Sequence, residues 1–293
     1  MDSKSIDVFL TIEKEGSFRK AAETLGYTQA GISYIVQAME EELGLTLFLR
    51  DRKGVNLSPE GKVLLPKIRQ LAADNRNLQV AVNELKGLEQ GTVRVQIFDS
   101  MSIHWLPGIL HEFKKDYPGV TVEFISEEDN VRAEEMVWTG EVDCGFFLKE
   151  ATLPLETFLL KEEEFLAIVS PEHEMASEKV FPVSKLGDYP YIAMKYDHNT
   201  GVRDFFERNS LVPDIAYQVD NDYAAMAMVS KNLGYCIFPE LLLQDFPYEI
   251  CQIPMDDPYR RKISIATLSM KTASTACRKF IEYSIRWVED NVK

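Results

Sequence analysis

Residues 27–44, "YTQAGISYIVQAMEEELG", have the spacing and the capping residues of an α-helix whose two faces differ in kind. Thr28 is a favoured residue at the N-cap position. Apolar residues at i, i+3, i+4, i+7 and i+11 form one stripe that predicts burial against other helices: Ile32, Ile35, Val36, Met39 and Leu43. The opposite face carries uncharged side chains, most of them with hydrogen-bonding groups: Gln29, Ala30, Ser33, Tyr34 and Gln37. We therefore predict that this outer face contacts a molecule outside the protein.

Two helices are predicted before this segment and a basic hairpin after it. Ser17 is a favoured cap for the helix "FRKAAETLG", and the turn "RDRKG" after residue 49 contributes Arg50, Arg52 and Lys53. The major groove of B-DNA accommodates one helix, and glutamine, serine and arginine side chains can pair with base edges there. The hairpin cations and the helix start at Thr28 would then contact phosphates. A small helical bundle with a solvated polar face is the alternative interpretation of the same pattern.

A long helix is predicted from Ser58, followed by Pro59, to about Lys86. Its apolar positions follow a spacing close to a heptad: Val63, Leu64, Leu71, Leu78, Val82 and Leu85. Because the small N-terminal region cannot bury such a long stripe, we predict that a helix of a second subunit covers it.

From residue 91 onward, strands alternate with helices. The segments "TVRVQIF", "VTVEFIS" and "VDCGFFL" predict a parallel sheet with helices on both faces, and a second set begins with "FLAIVS". Two α/β lobes joined by extended crossings would enclose a cleft. The run Glu162, Glu163 and Glu164 is predicted to be a solvated part of a crossing strand.

Composition and charge restrict the function. The net charge is −15, but residues 1–90 hold 12 Lys and Arg against 13 Asp and Glu, while residues 91–293 hold 20 against 34. The acidity therefore belongs to the second region and does not oppose a local basic patch in the first.

No membrane span and no export signal is recognisable, which predicts a cytoplasmic protein. The four cysteines lack disulfide or metal spacing, so we expect small apolar packing groups, with no metal and no cofactor. The four histidines have no nucleophile motif beside them, which argues against an enzyme.

The stretch "GSFRKAAETLGYTQAGISYIVQAMEEELGLTLFLRDRKGVNLSPEG" resembles the winged helix-turn-helix of LysR-type transcriptional regulators. The segments "GTVRV", "LPGILHEFKKDYPGVTVEF" and "GEVDCGF" are similar to the effector-binding region of the same family. The resemblance implies an α+β multidomain protein, with a winged helix-turn-helix (1–58), a linker and dimerisation helix (59–90) and an effector-binding domain (91–293). That last domain would be a two-lobed α/β fold like the type 2 periplasmic binding proteins, with lobe I at 91–161 and 266–293 and lobe II at 162–265.

For function, the resemblance implies sequence-specific operator binding that a small molecule in the interlobe cleft modulates. The implied partners are double-stranded DNA, an effector of unknown identity, further copies of the chain in a homodimer or homotetramer, and RNA polymerase, with no membrane. The implied DNA contacts are Gln29 and Ser33 to bases or phosphates and Arg50 with the wing to the backbone. Ala30 and Tyr34 depart from the usual family pattern. The alternative is a cytoplasmic solute-binding or sensor protein whose N-terminal helices serve assembly only.

Candidates for the cleft follow from the rule that ligands bind beyond the carboxyl ends of strands in open α/β sheets. The candidates in the first lobe are Asp99, Ser100, Met101, Ser102 and Glu127. Those in the second lobe are Lys195, His198, Asn199, Thr200 and Asn221. Hydroxyls and backbone amides at helix starts favour an anion, whereas the carboxylates in the same loops disfavour one, so the sign of the ligand's charge stays open.

Overall fold

The computed structural model of the chain describes residues 2–51, 54–85, 91–195 and 201–292. The N-terminal domain contains α1 (Ser3–Glu15), α2 (Phe18–Leu25), α3 (Gln29–Leu43) and a hairpin of β1 (Phe48–Asp51) with β2 (Gly54–Leu57). The order predicted from the sequence is therefore confirmed.

Local capping sets the limits of these helices. Ser17 and Thr28 accept hydrogen bonds from the first turns of α2 and α3. Each of the three helices ends at a glycine in the left-handed region, with φ of +60° at Gly16, +69° at Gly26 and +67° at Gly44. This conformation is costly for residues with a Cβ, so the glycines terminate the helices where the sequence places them.

Helix α4 (Pro59–Leu85) follows at once. The Ser58 hydroxyl accepts from the Gly61 N–H at 2.8 Å and donates to the Thr46 carbonyl at 2.6 Å, which ties the helix start to the hairpin. Ile68 and Ala72 are buried in the core of the N-terminal domain. The predicted stripe is divided between two environments. Leu64 packs against that core, whereas three other members of the stripe are exposed: Val63, Leu71 and Leu78.

The first lobe has a mixed sheet. Strand β3 (Gly91–Ile97) lies between β4 (Val120–Ser126) and β5 (Cys144–Phe147), and both neighbours are parallel to it. Strand β11 (Arg260–Thr267) is antiparallel to β5, and β6 (Glu156–Val169) is antiparallel to β11. The prediction of a parallel sheet is thus correct for the three strands that it named, whereas β11, which returns from the second lobe, runs antiparallel to both of its neighbours.

Helices cover this sheet. They are α5 (Asp99–His104), α6 (Leu106–Asp116), α7 (Asn130–Trp138) and α10 (Thr275–Asn291). α5 and α6 are separate helices because the chain turns at Trp105, which is buried in the lobe core.

The second lobe is built on the far half of β6. There β9 (Cys236–Pro239) and β10 (Cys251–Pro254) pair with it on opposite sides, both antiparallel. Strands β7 (Pro190–Met194) and β8 (Asp214–Val219) are parallel neighbours, and β7 joins β9 through the bridge between Tyr191 and Tyr235. Helices α8 (Val202–Arg208) and α9 (Asp222–Ser230) and the 3-10 turns Val183–Asp188 and Glu240–Leu243 complete the lobe. One continuous strand, β6, therefore belongs to both sheets and connects the lobes.

Three of the four cysteines behave as the sequence predicts. Cys144, Cys236 and Cys277 are buried, while Cys251 is partly exposed. A hydrogen bond with the Cys277 thiol, together with burial, raises the pKa of Cys144.

Among the described residues there is no helix with the length and apolarity that a membrane span requires.

Candidate nucleic-acid interface and interlobe cleft

The outer face of α3 is available for contact. Gln29, Ala30 and Gln37 are exposed, Tyr34 is 73% exposed, and Ser33 is half-buried. On the inner face, Ile32, Val36 and Met39 are buried and Ile35 is partly buried. Leu43, the last member of the predicted stripe, is exposed because it lies at the end of the helix, beyond the neighbouring helices. The division between a packed and a free face therefore holds for most of the helix.

The local structure explains why a glycine occupies position 31, in the first turn of α3. The Thr28 hydroxyl accepts a hydrogen bond from the Gly31 N–H at 3.1 Å. A Cβ added to Gly31 would lie 3.2 Å from that hydroxyl oxygen, which is tighter than an ordinary contact. The glycine thus leaves room for the cap that begins the helix.

A groove beside α3 gathers several predicted residues. It has a volume of about 570 Å³, and Ser17, Gln29 and Arg50 line it together with Arg19 and Lys20. The Arg50 guanidinium lies 4.3 Å from the ring centre of Phe18, which holds the side chain at the edge of the groove. The sequence analysis missed Arg19 and Lys20, although helical periodicity places both on the exposed side of α2, beside the Ser17 cap.

Some predicted polar groups already have partners. The Ser17 hydroxyl accepts from the Lys20 N–H at 3.4 Å, and the Gln37 amide donates to Glu41 at 2.9 Å. The predicted wing residues Arg52 and Lys53 lie outside the described residues. The described basic groups that line the groove beside α3 are therefore those of Arg19, Lys20 and Arg50.

The space between the two lobes is narrow. A cavity of about 30 Å³ lies there, and the polar side chains that line it are Asp99, Ser100, Glu128, Asp222 and Arg261. Since a water needs roughly 10 to 15 Å³ by this measure, the cavity has room for about two waters. Asp99 and Ser100 are the predicted candidates that the structure brings to this cavity.

Other first-lobe candidates do not line the cavity. Met101 is fully buried in the core of the first lobe. The Ser102 hydroxyl donates to the backbone carbonyl of Asp99 at 2.8 Å, and the Glu127 carboxylate accepts from the Asp129 N–H at 3.0 Å. These three side chains serve the local structure of the loops and the core.

The second-lobe candidates are likewise engaged elsewhere. Lys195 forms an exposed ion pair with Asp220 at 2.7 Å. Asn221 caps α9 by accepting from the Ala224 N–H at 3.0 Å. The remaining predicted candidates, His198, Asn199 and Thr200, lie outside the described residues.

A buried ion pair that the sequence analysis missed lies beside the cleft. Arg261 donates from Nε to the Glu163 carboxylate at 2.5 Å, and the second Glu163 oxygen accepts from the Leu241 N–H at 2.7 Å. The Arg261 guanidinium also donates to the Ser100 hydroxyl at 3.4 Å. The pair therefore connects the crossing strands to the first helix of lobe I.

The predicted solvated run is wrong at Glu163, which is only 2% exposed. Two-residue alternation along β6 places Glu163 on the same side of the strand as Phe165 and Ala167, which are fully buried. That alternation was the signal in the sequence that could have identified the buried position.

Glu128 is the most perturbed carboxyl group in the cleft. Burial raises its pKa to about 7, and the negative charges of Asp99 and Asp222 act in the same direction. The hydrogen bond that it accepts from the Asp99 N–H, at 2.9 Å, opposes this shift.

Within the described ranges no group of three or more side chains has the arrangement of a metal site.

Comparisons with known proteins agree with this architecture. A family model described as "Bacterial regulatory helix-turn-helix protein, lysR family" matches residues 3–62, and one described as "LysR substrate binding domain" matches residues 86–288. The uncharacterized HTH-type transcriptional regulator YvbU of Bacillus subtilis is 29% identical over 286 residues, which cover 96% of this chain and 97% of that protein.

Two solved structures share the fold. A full-length OxyR variant from Pseudomonas aeruginosa has a TM-score of 0.75 at 18% identity and covers 99% of this chain and 95% of that one. Full-length CbnR, solved in complex with its target DNA, has a TM-score of 0.56 at 21% identity and covers 98% of this chain and 100% of that one. The two family models together span the N-terminal and C-terminal domains described above. This chain therefore belongs to the LysR family and is a DNA-binding transcriptional regulator with an effector-binding domain.

Proposed function

We propose that the regulator reads its operator with the outer face of α3 and holds the DNA backbone with the groove beside it. Gln29 and Ser33 pair with base edges, while Arg19, Lys20 and Arg50 contact phosphates. The observation that carries this assignment is the placement of Ser17, Gln29 and Arg50 around one basic groove next to an exposed, uncharged helix face. The solved complex of CbnR with its target DNA, a protein of the same fold, supports it.

A comparison of variants in operator-binding titrations tests the assignment. Gln29→Ala is expected to lose about 1 to 3 kcal/mol on the operator and little on unrelated DNA, because a bidentate base contact discriminates by that amount. Lys20→Gln is expected to weaken binding to all sequences and to reduce the salt slope by roughly 1. Gln218→Ala, at an exposed glutamine of β8 in the effector-binding domain, is the matched control. Equal losses for Gln29→Ala on operator and unrelated DNA would contradict base readout.

We further propose that a small molecule binds in the interlobe cleft. The cavity of about 30 Å³ is far below the roughly 300 to 1,000 Å³ of ligand pockets, so the lobes must separate to admit the effector. Opening would bend β6 and β11, which connect the lobes, and would shift the domains attached to lobe I. In this proposal the ligand is released unchanged. The protein has two global states, with the lobes closed or separated, and these states couple effector binding in the cleft to DNA binding.

Footprinting with paired variants tests the coupling. Glu163→Met combined with Arg261→Met removes the buried pair beside the cleft, and we expect the footprint length to change. Glu164→Met combined with Arg260→Met removes the neighbouring ion pair, at 3.3 Å and with Arg260 exposed, from the same two strands. An identical footprint for both double variants would show that the cleft is not coupled to DNA geometry.

The assembly follows from α4. The exposed leucines and valine of α4 need to be covered, and a second copy of α4 covers them in a homodimer, which can pair into a homotetramer.

We assign residues 59–90 to this role, residues 1–58 to DNA binding and residues 91–293 to effector binding. The protein acts in the cytoplasm, with RNA polymerase as the further partner of a regulator. The match of residues 3–62 to a DNA-binding family model does not favour the alternative that these helices serve assembly only.

A further inference from the structure

A second cavity, separate from the cleft and from the groove beside α3, lies where the three parts of the chain meet. It has a volume of about 550 Å³, and α1, α4, β3, β4, α7 and the turn at Gly140 form its walls. We call it the junction cavity. Its size is within the range of small-molecule sites.

Basic side chains dominate the junction cavity. The cations that line it are Lys14, Arg69, Arg76, Arg94 and Arg132. The carboxylates that line it are Glu13, Glu123 and Glu141. The lining thus has two more positive than negative charges, in a protein whose net charge is −15. Such a local excess attracts small anions.

Three of the arginines have carboxylate partners. Arg69 lies 3.1 Å from Glu13 and 3.2 Å from Glu141. Arg132 lies 2.6 Å from the same Glu141, and Arg94 lies 3.4 Å from Glu123. One glutamate therefore serves two arginines, one of which lies on the linker helix and the other on the effector domain.

Arg76 is less well satisfied. Its Nη2 donates to the Gly140 carbonyl at 2.5 Å, but its buried Nε has no hydrogen-bond partner. Among the described residues no carboxylate lies within ion-pair distance of this guanidinium, and Asp143 and Asp7 attract it only from farther away. Lys14 is exposed and likewise has no ion pair within the described part of the chain.

The electrostatics of Arg76 agree with an anion site. Burial lowers the pKa of Arg76, and the positive charge of Arg94 lowers it further. An anion between these two guanidinium groups would replace the lost hydration and screen their repulsion, because hydrogen bonds between ionised groups are the stronger ones.

We propose that the junction cavity binds a small polyvalent oxyanion, a phosphate or a di- or tricarboxylate, through Lys14, Arg76 and Arg94. These residues belong to the DNA-binding domain, the linker helix and the effector domain, so one bound anion connects all three. The anion holds the DNA-binding domain against lobe I and modulates operator affinity independently of the interlobe cleft.

Calorimetric titration of the full chain tests the site, with sodium phosphate and trisodium citrate as probes and sodium chloride at equal ionic strength as reference. We expect one site per chain, and the probe that binds more tightly identifies the oxyanion class. Arg76→Gln and Lys14→Gln are each expected to weaken binding at least tenfold. Because Lys14 is exposed, its variant decides the outcome if Arg76→Gln fails to fold.

Two control variants locate the site. Arg203→Gln alters an exposed arginine of α8 that pairs with Glu207, and Glu163→Met combined with Arg261→Met replaces the ion pair beside the cleft without leaving an unpaired buried charge. Both are expected to bind the probes within twofold of the wild type. No binding beyond chloride, an equal loss in Arg203→Gln, or a loss confined to the Glu163→Met and Arg261→Met double variant would each overturn the proposal. Binding without any change of operator affinity would overturn its regulatory part.

Discussion

Removal of the Glu163 carboxylate is expected to destabilise the effector-binding domain by about 4 kcal/mol. The Glu163 and Arg261 side chains are 1% and 5% exposed, so neither can be rehydrated without opening the cleft. In Glu163→Ala the Ser100 hydroxyl at 3.4 Å is the one hydrogen-bond partner that the guanidinium keeps among the described residues, and the Leu241 N–H loses its acceptor. Breaking a buried pair on one side costs about 3 to 5 kcal/mol because an uncompensated charge stays inside.

Urea unfolding followed by tryptophan fluorescence measures this loss in the right domain. The chain's three tryptophans, Trp105, Trp138 and Trp287, all lie in residues 91–293, so the N-terminal domain does not contribute to the signal. With an m-value of about 2 kcal/mol/M, the midpoint should fall by roughly 2 M.

Two variants on the same strands separate charge burial from other causes. Glu164→Ala removes the neighbouring pair with Arg260, whose side chain is 62% exposed, and should change stability by less than about 1 kcal/mol. Glu163→Met combined with Arg261→Met should unfold within about 1 kcal/mol of the wild type, because apolar replacements avoid the unpaired charge. A loss in Glu163→Ala no larger than that in Glu164→Ala would refute the reasoning.

Three further predictions concern other parts of the molecule. Gly140→Ala should lower stability by about 1 to 3 kcal/mol more than Gly26→Ala in thermal unfolding followed by circular dichroism. Both have a φ of +69°, but only at Gly140 would the new Cβ meet another side chain, at 2.5 Å. Glu128 has a pKa of about 7 against a usual value of 4.5. Its contribution to stability is therefore full below pH 4.5 and is lost as the pH rises to 7. The difference in Tm between Glu128→Gln and the wild type should accordingly grow from pH 5 to pH 7.5, and a constant difference would contradict the burial of that carboxyl. Leu71→Glu combined with Leu78→Glu should convert the proposed dimer to a monomer in sedimentation equilibrium with helicity retained, and an unchanged mass would exclude α4 as the interface.

The sequence by itself determined the N-terminal domain. Ser17, Thr28 and the glycines at 16, 26 and 44 lie at the predicted helix limits because capping depends on a few consecutive residues. The free face of α3 follows from helical periodicity, which is equally local. The alternation of strands and helices after residue 91 likewise predicted two α/β lobes.

Only the tertiary structure decided which polar groups meet in the cleft. Glu163 and Arg261 are 98 residues apart, and their pairing depends on the register between β6 and β11, which no local pattern specifies. For the same reason Asp99 and Ser100 line the cleft while Met101, next in sequence, faces the core. Side-chain direction in a short helix changes by about 100° per residue. The position of a loop therefore predicts that its residues lie near the cleft, and packing alone selects the side chains that face the ligand.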